Sequence, residues 1–169
     1  MTSAQLLTDA FGRIRGVVHQ VVDGLTPDEL AFRVDAAANS IGWLVWHLTR
    51  IQDDHVADVA GLSQVWTGQG WVERFGLPFG AFQTGYGHSS DEVAMLRVES
   101  GRLLTDYHDA TYEQTIGYVS TLTDDELDRV VDRSWDPPVT LGVRLVSVIA
   151  DDLQHGGQAA FIRGIIERR

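Results

Sequence analysis

The sequence predicts an all-α protein, a four-helix bundle with a long connection between helices 2 and 3. Three observations carry this expectation. Apolar residues recur at spacings of three and four in four long segments. Capping residues stand at the starts of the segments, and glycines close the first two. No stretch alternates apolar and polar residues between hairpin turns, so no strand competes. The 169 residues are the length of one domain with a full core, read as residues 1–169.

The first helix runs from about residue 3 to 23, on Leu6, Leu7, Phe11, Ile14, Val17, Val18, Val21 and Val22, and Gly24 ends it. The second runs from about 40 to 60 behind a cap at Asn39 or Ser40. It is apolar from Ile41 to Leu48, polar from Arg50 to His55, and closed by Gly61. The third is expected from about 91 to 121, behind Ser89-Ser90-Asp91-Glu92. The fourth runs from about 141 to 166, opened by Thr140 and preceded by Pro137-Pro138.

Leu25-Thr26-Pro27-Asp28-Glu29-Leu30 and Leu122-Thr123-Asp124-Asp125-Glu126-Leu127 both read as capping boxes, with Thr at the cap and Glu three residues later. Each is followed by a Val-Asp pair, Val34-Asp35 and Val131-Asp132. This suggests two helix pairs related by an internal pseudo-repeat; chance recurrence of a common cap is the alternative. The connection from 61 to 90 is long for a bundle. It holds seven glycines and six large aromatics, Trp66, Trp71, Phe75, Phe79, Phe82 and Tyr86, where a disordered linker would be poor in aromatics. It is expected to pack over one end of the bundle, as a pocket wall, a lid, or a crossover that covers core.

Composition narrows the function. The hydrophobic content of 44% and charged content of 22% are those of a globular protein. A net charge of -11 with no basic stripe argues against nucleic acid as a partner. No apolar run reaches membrane-span length, and the N-terminus shows no secretory signal, so a cytoplasmic location and no membrane partner are expected. There is no cysteine, hence no thiolate ligand or nucleophile of the protein's own. All 13 basic residues are Arg, which we read as the codon bias of a high-GC genome such as an actinobacterium's.

Asp151 and His155 lie four apart on the fourth helix and project from one face. His47, in Trp43-Leu44-Val45-Trp46-His47-Leu48, is the third candidate ligand. Two imidazoles and one carboxylate would leave a coordination position open, as catalytic zinc sites do. The bland alternative is a core histidine plus an ordinary i,i+4 pair. On a helical wheel Arg144, Asp151, His155 and Gln158 share one stripe. From their facing, Trp43 is expected to wall a pocket and Arg144 and Gln158 to contact a ligand's polar groups. Asp54, two turns from His47, could contact substrate or orient a partner. Gly156 and Gly157, costly in mid-helix, imply close approach of another helix or room for a ligand. His19, His55, His88 and His108 are assigned structural or surface roles, with His55 at a solvated helix end and His19 and His108 without an acidic or imidazole partner at metal spacing.

Gly42-Trp43-Leu44-Val45-Trp46-His47-Leu48 and Asp151-Asp152-Leu153-Gln154-His155-Gly156-Gly157-Gln158, with Arg163-Gly164 beyond, resemble the corresponding helices of the DinB-like superfamily of metal-binding four-helix bundles. The resemblance covers essentially the whole chain. Most members place three histidines at these positions. This chain has Asp151 at one of them, similar to the Glu of the mycothiol-dependent maleylpyruvate isomerase branch. Within the superfamily it looks most like the actinobacterial mycothiol S-transferases.

The resemblance implies His47, Asp151 and His155 as metal ligands and catalytic centre, zinc as the metal, with nickel or manganese admitted by the same donors. It also implies mycothiol as thiol cosubstrate, attacking a small electrophile held by the aromatic pocket. The alternatives are a metal-dependent hydrolase, a thiol-dependent isomerase, or a non-enzymatic stress-associated bundle with a vestigial site. A homodimer through bundle faces is compatible with all of them.

Overall fold

The computed structural model describes residues 1–169. Four long helices make the bundle: α1 (Ser3–Val22), α3 (Ile41–Ala60), α7 (Gly101–Val119) and α8 (Leu141–Ile166). Between them lie short helices: α2 (Pro27–Leu30), α4 (Val65–Gly68), α5 (Trp71–Phe75) and α6 (Ser90–Met95). Helices α1 and α3 each pack against both α7 and α8, so α1 and α3 are diagonal, and α3 against α8 is the most extensive pair. Phe11, Ile14, Val18, Leu44, Leu48, Leu104, Leu145 and Val148 fill the centre, each no more than 1% exposed. No helix is long and apolar enough to cross a membrane.

The helix starts follow their caps. Thr2 and Gln5 form a capping box on α1. Ser40 Oγ accepts from Trp43 N at the start of α3, and Gly61 closes it in the left-handed region at φ 66°. Thr140 Oγ1 accepts from Val143 N to open α8. At the far end of α1, Arg163 Nη1 donates to the carbonyls of Gln20 and Asp23 at 2.9 and 2.7 Å. The Arg163-Gly164 motif therefore fastens α8 to the end of α1, supplying donors to carbonyls a helix end leaves free.

Three expectations are corrected. The third helix is not continuous from 91 to 121. Helix α6 stops at Met95, and α7 starts afresh behind Ser100, whose hydroxyl accepts from Arg102 N. Between them Leu96 and Val98 are buried while Arg97 and Glu99 are exposed. Alternate residues thus face the core, which suits extended backbone and not a helix. A small antiparallel pair also exists, β1 (Val130–Asp132) with β2 (Val139–Thr140), joined around Pro137-Pro138. Its β-branched residues favour extended backbone. Finally, Thr26 and Glu29 form a complete capping box, but Thr123 does not cap with its hydroxyl: Glu126 Oε2 accepts from Thr123 N and Oγ1 and a 3-10 turn follows.

The 61–90 connection is tied down from α3. Asp53 is 1% exposed. Its carboxylate accepts from Val65 N, Trp66 N and Tyr107 Oη, each at 2.8 Å, with buried Arg50 3.5 Å away. Those bonds oppose the burial that pushes its pKa up. Trp66, Trp71 and Phe75 are buried around Tyr107, with ring centroids 5.1 to 5.8 Å from it. These three aromatics cover core and do not line an open pocket. Phe82 and Tyr86 remain exposed.

Candidate metal centre

His47 sits on α3 and Asp151 and His155 sit on α8, and the packing of these two helices brings them together. Their ligand atoms lie within 4.8 Å of one another. His155 Nε2 is 3.6 Å from Asp151 Oδ1. The two imidazoles stand edge to face with centroids 4.9 Å apart. Trp43, one turn before His47, stacks on it at 4.6 Å and 17°, and meets His155 edge-on at 6.4 Å.

Both imidazoles have their distal nitrogen committed. His47 Nδ1 is 2.6 Å from the carbonyl oxygen of Thr84, which can only accept, so Nδ1 carries the proton and Nε2 is left with its lone pair. His155 Nδ1 donates to Gln158 Oε1 at 3.1 Å, with the same result. Burial depresses the pKa of His47, keeping it in the neutral form a cation requires. Asp151 Oδ2 is shielded from solvent and has no hydrogen-bond partner. Two oriented imidazoles and a carboxylate, with ligand atoms within 4.8 Å of one another, are the donor set and outer-shell arrangement of a divalent cation site.

The other predicted site residues divide by position. Trp43 lies against both imidazoles. Gln158 lies beside it, but its amide oxygen is taken up by His155. Arg144 lies about two turns before Asp151 on α8, donating from Nη1 to His55 Nδ1 and from Nη2 to Asp132 Oδ2, both at 2.9 Å. Asp54 Oδ1 accepts from Gln64 Nε2 at 2.6 Å and so braces the connection, apart from the three-residue cluster.

One expectation about the histidines is corrected. His55 is not at a solvated end: it is half-buried against Arg144, and burial and that cation lower its pKa. His19 Nε2 lies 2.8 Å from Asp109 Oδ1 on α7, an acceptor it shares with Arg15. His108 is fully buried in the core, with Nδ1 3.1 Å from Thr49 Oγ1. His88 accepts from Trp43 Nε1 at 3.3 Å and packs between Trp46 and Phe79.

Sequence reasoning missed Thr84 and Gly85. Gly85 has φ 93°, and a Cβ there would stand 3.0 Å from His47, Trp43 and Trp46 at once. Only glycine lets the backbone come close enough for the Thr84 carbonyl to reach the imidazole. The glycine pair flanking Tyr86 was the available signal.

One groove reaches the triad at Asp151, and a second lies beside Gln158. The first, of about 460 Å³, is lined by Asp151, Arg144, His55, Asp132, Trp135 and Tyr86 among others. The other, of about 550 Å³, is mainly apolar and runs past Gln158 between Leu44, Val34 and Phe161. The two mid-helix glycines have separate explanations. A Cβ on Gly156 would meet Val17 of α1 at 2.9 Å, whereas Gly157 has nothing within 4 Å and lines the apolar groove.

The fold and these residues define a helical bundle with a potential two-histidine, one-aspartate cation site between two of its helices. Residues 6–168 match the family described as mycothiol-S-transferase, and the chain belongs to that family. A solved structure described as a conserved protein from Enterococcus faecalis is 30% identical, with a TM-score of 0.92, covering 100% of this chain and 99% of that one. No curated protein matches the chain.

Proposed function

We propose that the protein is a metal-dependent S-transferase that conjugates mycothiol to small electrophiles. The observation that carries the reading is the pair of imidazoles whose Nδ1 protons are held by Thr84 and Gln158, with His155 Nε2 3.6 Å from Asp151 Oδ1 and one ligand atom of each of the three residues within 4.8 Å of the others. His47, Asp151 and His155 would hold the cation, zinc by preference. When bound, the cation supplies positive charge that lowers the pKa of a thiol beside it, so that the thiol reacts as thiolate.

The chain's own residues prepare that event. His47 and His155 contribute no charge, and Asp151 contributes one negative charge, so the centre keeps a net positive charge toward the thiol. Trp43 stacks on His47, restricts its rotation and shields it from water. The apolar groove beside Gln158 is where we place the electrophile. The absence of cysteine agrees with a nucleophile brought in on a cosubstrate.

The test uses the purified full chain loaded with zinc, mycothiol, and a bimane or chlorodinitrobenzene electrophile. Conjugation should require both metal and thiol, and His47→Ala should abolish it while retaining the helical circular dichroism of the wild type. Conjugation by metal-free protein would overturn the reading. Thiol-independent turnover of an ester or amide would replace it with a hydrolase.

A further inference from the structure

The chain has five tryptophans, and four of them, Trp43, Trp46, Trp66 and Trp71, are at most 6% exposed. The fifth, Trp135, is 66% exposed on the loop between β1 and β2. It rims the 460 Å³ groove that ends at Asp151, with Tyr86, 90% exposed, also lining it. The groove's polar side chains are fixed before any ligand arrives. Arg144 is clamped between His55 and Asp132 at 2.9 Å on each side. Asp132 is itself held by the N–H and hydroxyl of Ser134 at 2.9 and 2.7 Å. The two charges are only partly exposed, at 17% and 26%.

An occupant must satisfy these features together. The only cation lining the groove, Arg144, is already neutralised by Asp132, and Asp151 adds negative charge. An anionic occupant is therefore disfavoured. Planar, immobilised donors and acceptors suit a neutral ligand with several adjacent hydroxyls. Exposed aromatic faces suit the C–H face of a saturated ring. A sugar or cyclitol has both properties.

We propose that this groove binds the polyhydroxylated body of the thiol cosubstrate, with Trp135 against a ring face and the Asp132–Arg144 pair on its hydroxyls. The assignment rests on the S-transferase reading for what lies at the Asp151 end of the groove. Mycothiol, an acetylated cysteine joined to an amino sugar and a cyclitol, has a body of this chemistry. Trp135 and Arg144 would then determine which thiol is used, and the apolar groove would be left to the electrophile.

The experiment compares wild type with Trp135→Ala, whose exposed side chain is not needed for folding. In the first arm, zinc-loaded enzyme turns over mycothiol and N-acetylcysteine, which share the thiol but not the sugar. The wild type should prefer mycothiol, and the ratio of the two kcat/KM values should fall about tenfold in Trp135→Ala, the loss expected for one stacked ring. In the second arm, calorimetry follows binding of glucosaminyl-inositol, which has no thiol, and the variant should bind about tenfold more weakly. An unchanged ratio, or an effect confined to the KM of the electrophile, overturns the proposal. So does a wild type that does not bind glucosaminyl-inositol. Binding of glucosaminyl-inositol by a protein that transfers no thiol would sink the S-transferase reading and leave the groove assignment standing.

Discussion

The carbonyl oxygen of Thr84 stands 2.6 Å from Nδ1 of His47, across 37 residues of chain. This bond fixes the tautomer of one proposed ligand from a loop and not from a helix. The loop reaches it because Gly85 has no Cβ. Gly85→Ala should therefore push the loop back and release His47. Outer-shell losses of this kind typically weaken metal binding about 10- to 100-fold. Competition with a chromophoric zinc chelator would read the change, and wild-type affinity in the variant would refute the role given to Thr84.

Asp151 tests the carboxylate's contribution. With zinc at about a hundred times its Kd, a native-state ligand adds about 2.7 kcal/mol, or roughly 5 to 10 °C in Tm for a domain of this size. Wild type should show that shift and Asp151→Asn should not. An equal shift in both proteins would mean that zinc binds elsewhere.

Asp53 tests what holds the 61–90 connection in place. Asp53→Ala would free the N–H groups of Val65 and Trp66 and leave Arg50, which is fully buried, without its counter-charge. Removing one partner of a buried pair costs about 3–5 kcal/mol. Urea denaturation should show a loss of that size, with faster amide exchange in residues 65–75. Exchange unchanged there would show that the aromatics hold the segment unaided.

His108 gives a pH signature separate from the metal centre. Burial lowers its pKa to about 3. Between that value and the ordinary imidazole pKa of about 6.5, the unfolded chain binds a proton that the folded chain does not. This group's contribution is thus complete above about pH 6.5 and declines as the pH falls, by about 1.4 kcal/mol per pH unit. The stability difference between wild type and His108→Gln should shrink accordingly from pH 7 to pH 5 in urea titrations. A difference independent of pH would show that His108 is protonated in the folded state.

The bundle and the three candidate ligands were legible in the sequence because both rest on side-chain spacing. Asp151 and His155 are four apart, and the caps at Ser40 and Thr140 mark where their helices begin. The break at Leu96–Ser100 was also written there, in the alternation of Leu96, Arg97, Val98 and Glu99, but good helix formers on both sides concealed it. Thr84 was not legible, because a backbone carbonyl leaves no mark in composition. Neither was the burial of Trp66, Trp71 and Phe75 around Tyr107. That follows from where Asp53 pins the chain, a contact among residues far apart in sequence.

Helix α1 carries none of the proposed ligands, yet its Val17 packs on α8 at Gly156, next to His155, where there is no room even for a methyl group. Val17 is a β-branched side chain with little freedom to turn aside. It acts as a spacer that sets how deeply α8 seats in the bundle, and so how far Asp151 and His155 stand from His47. Changes on α1 can therefore retune the centre while leaving every residue around it intact.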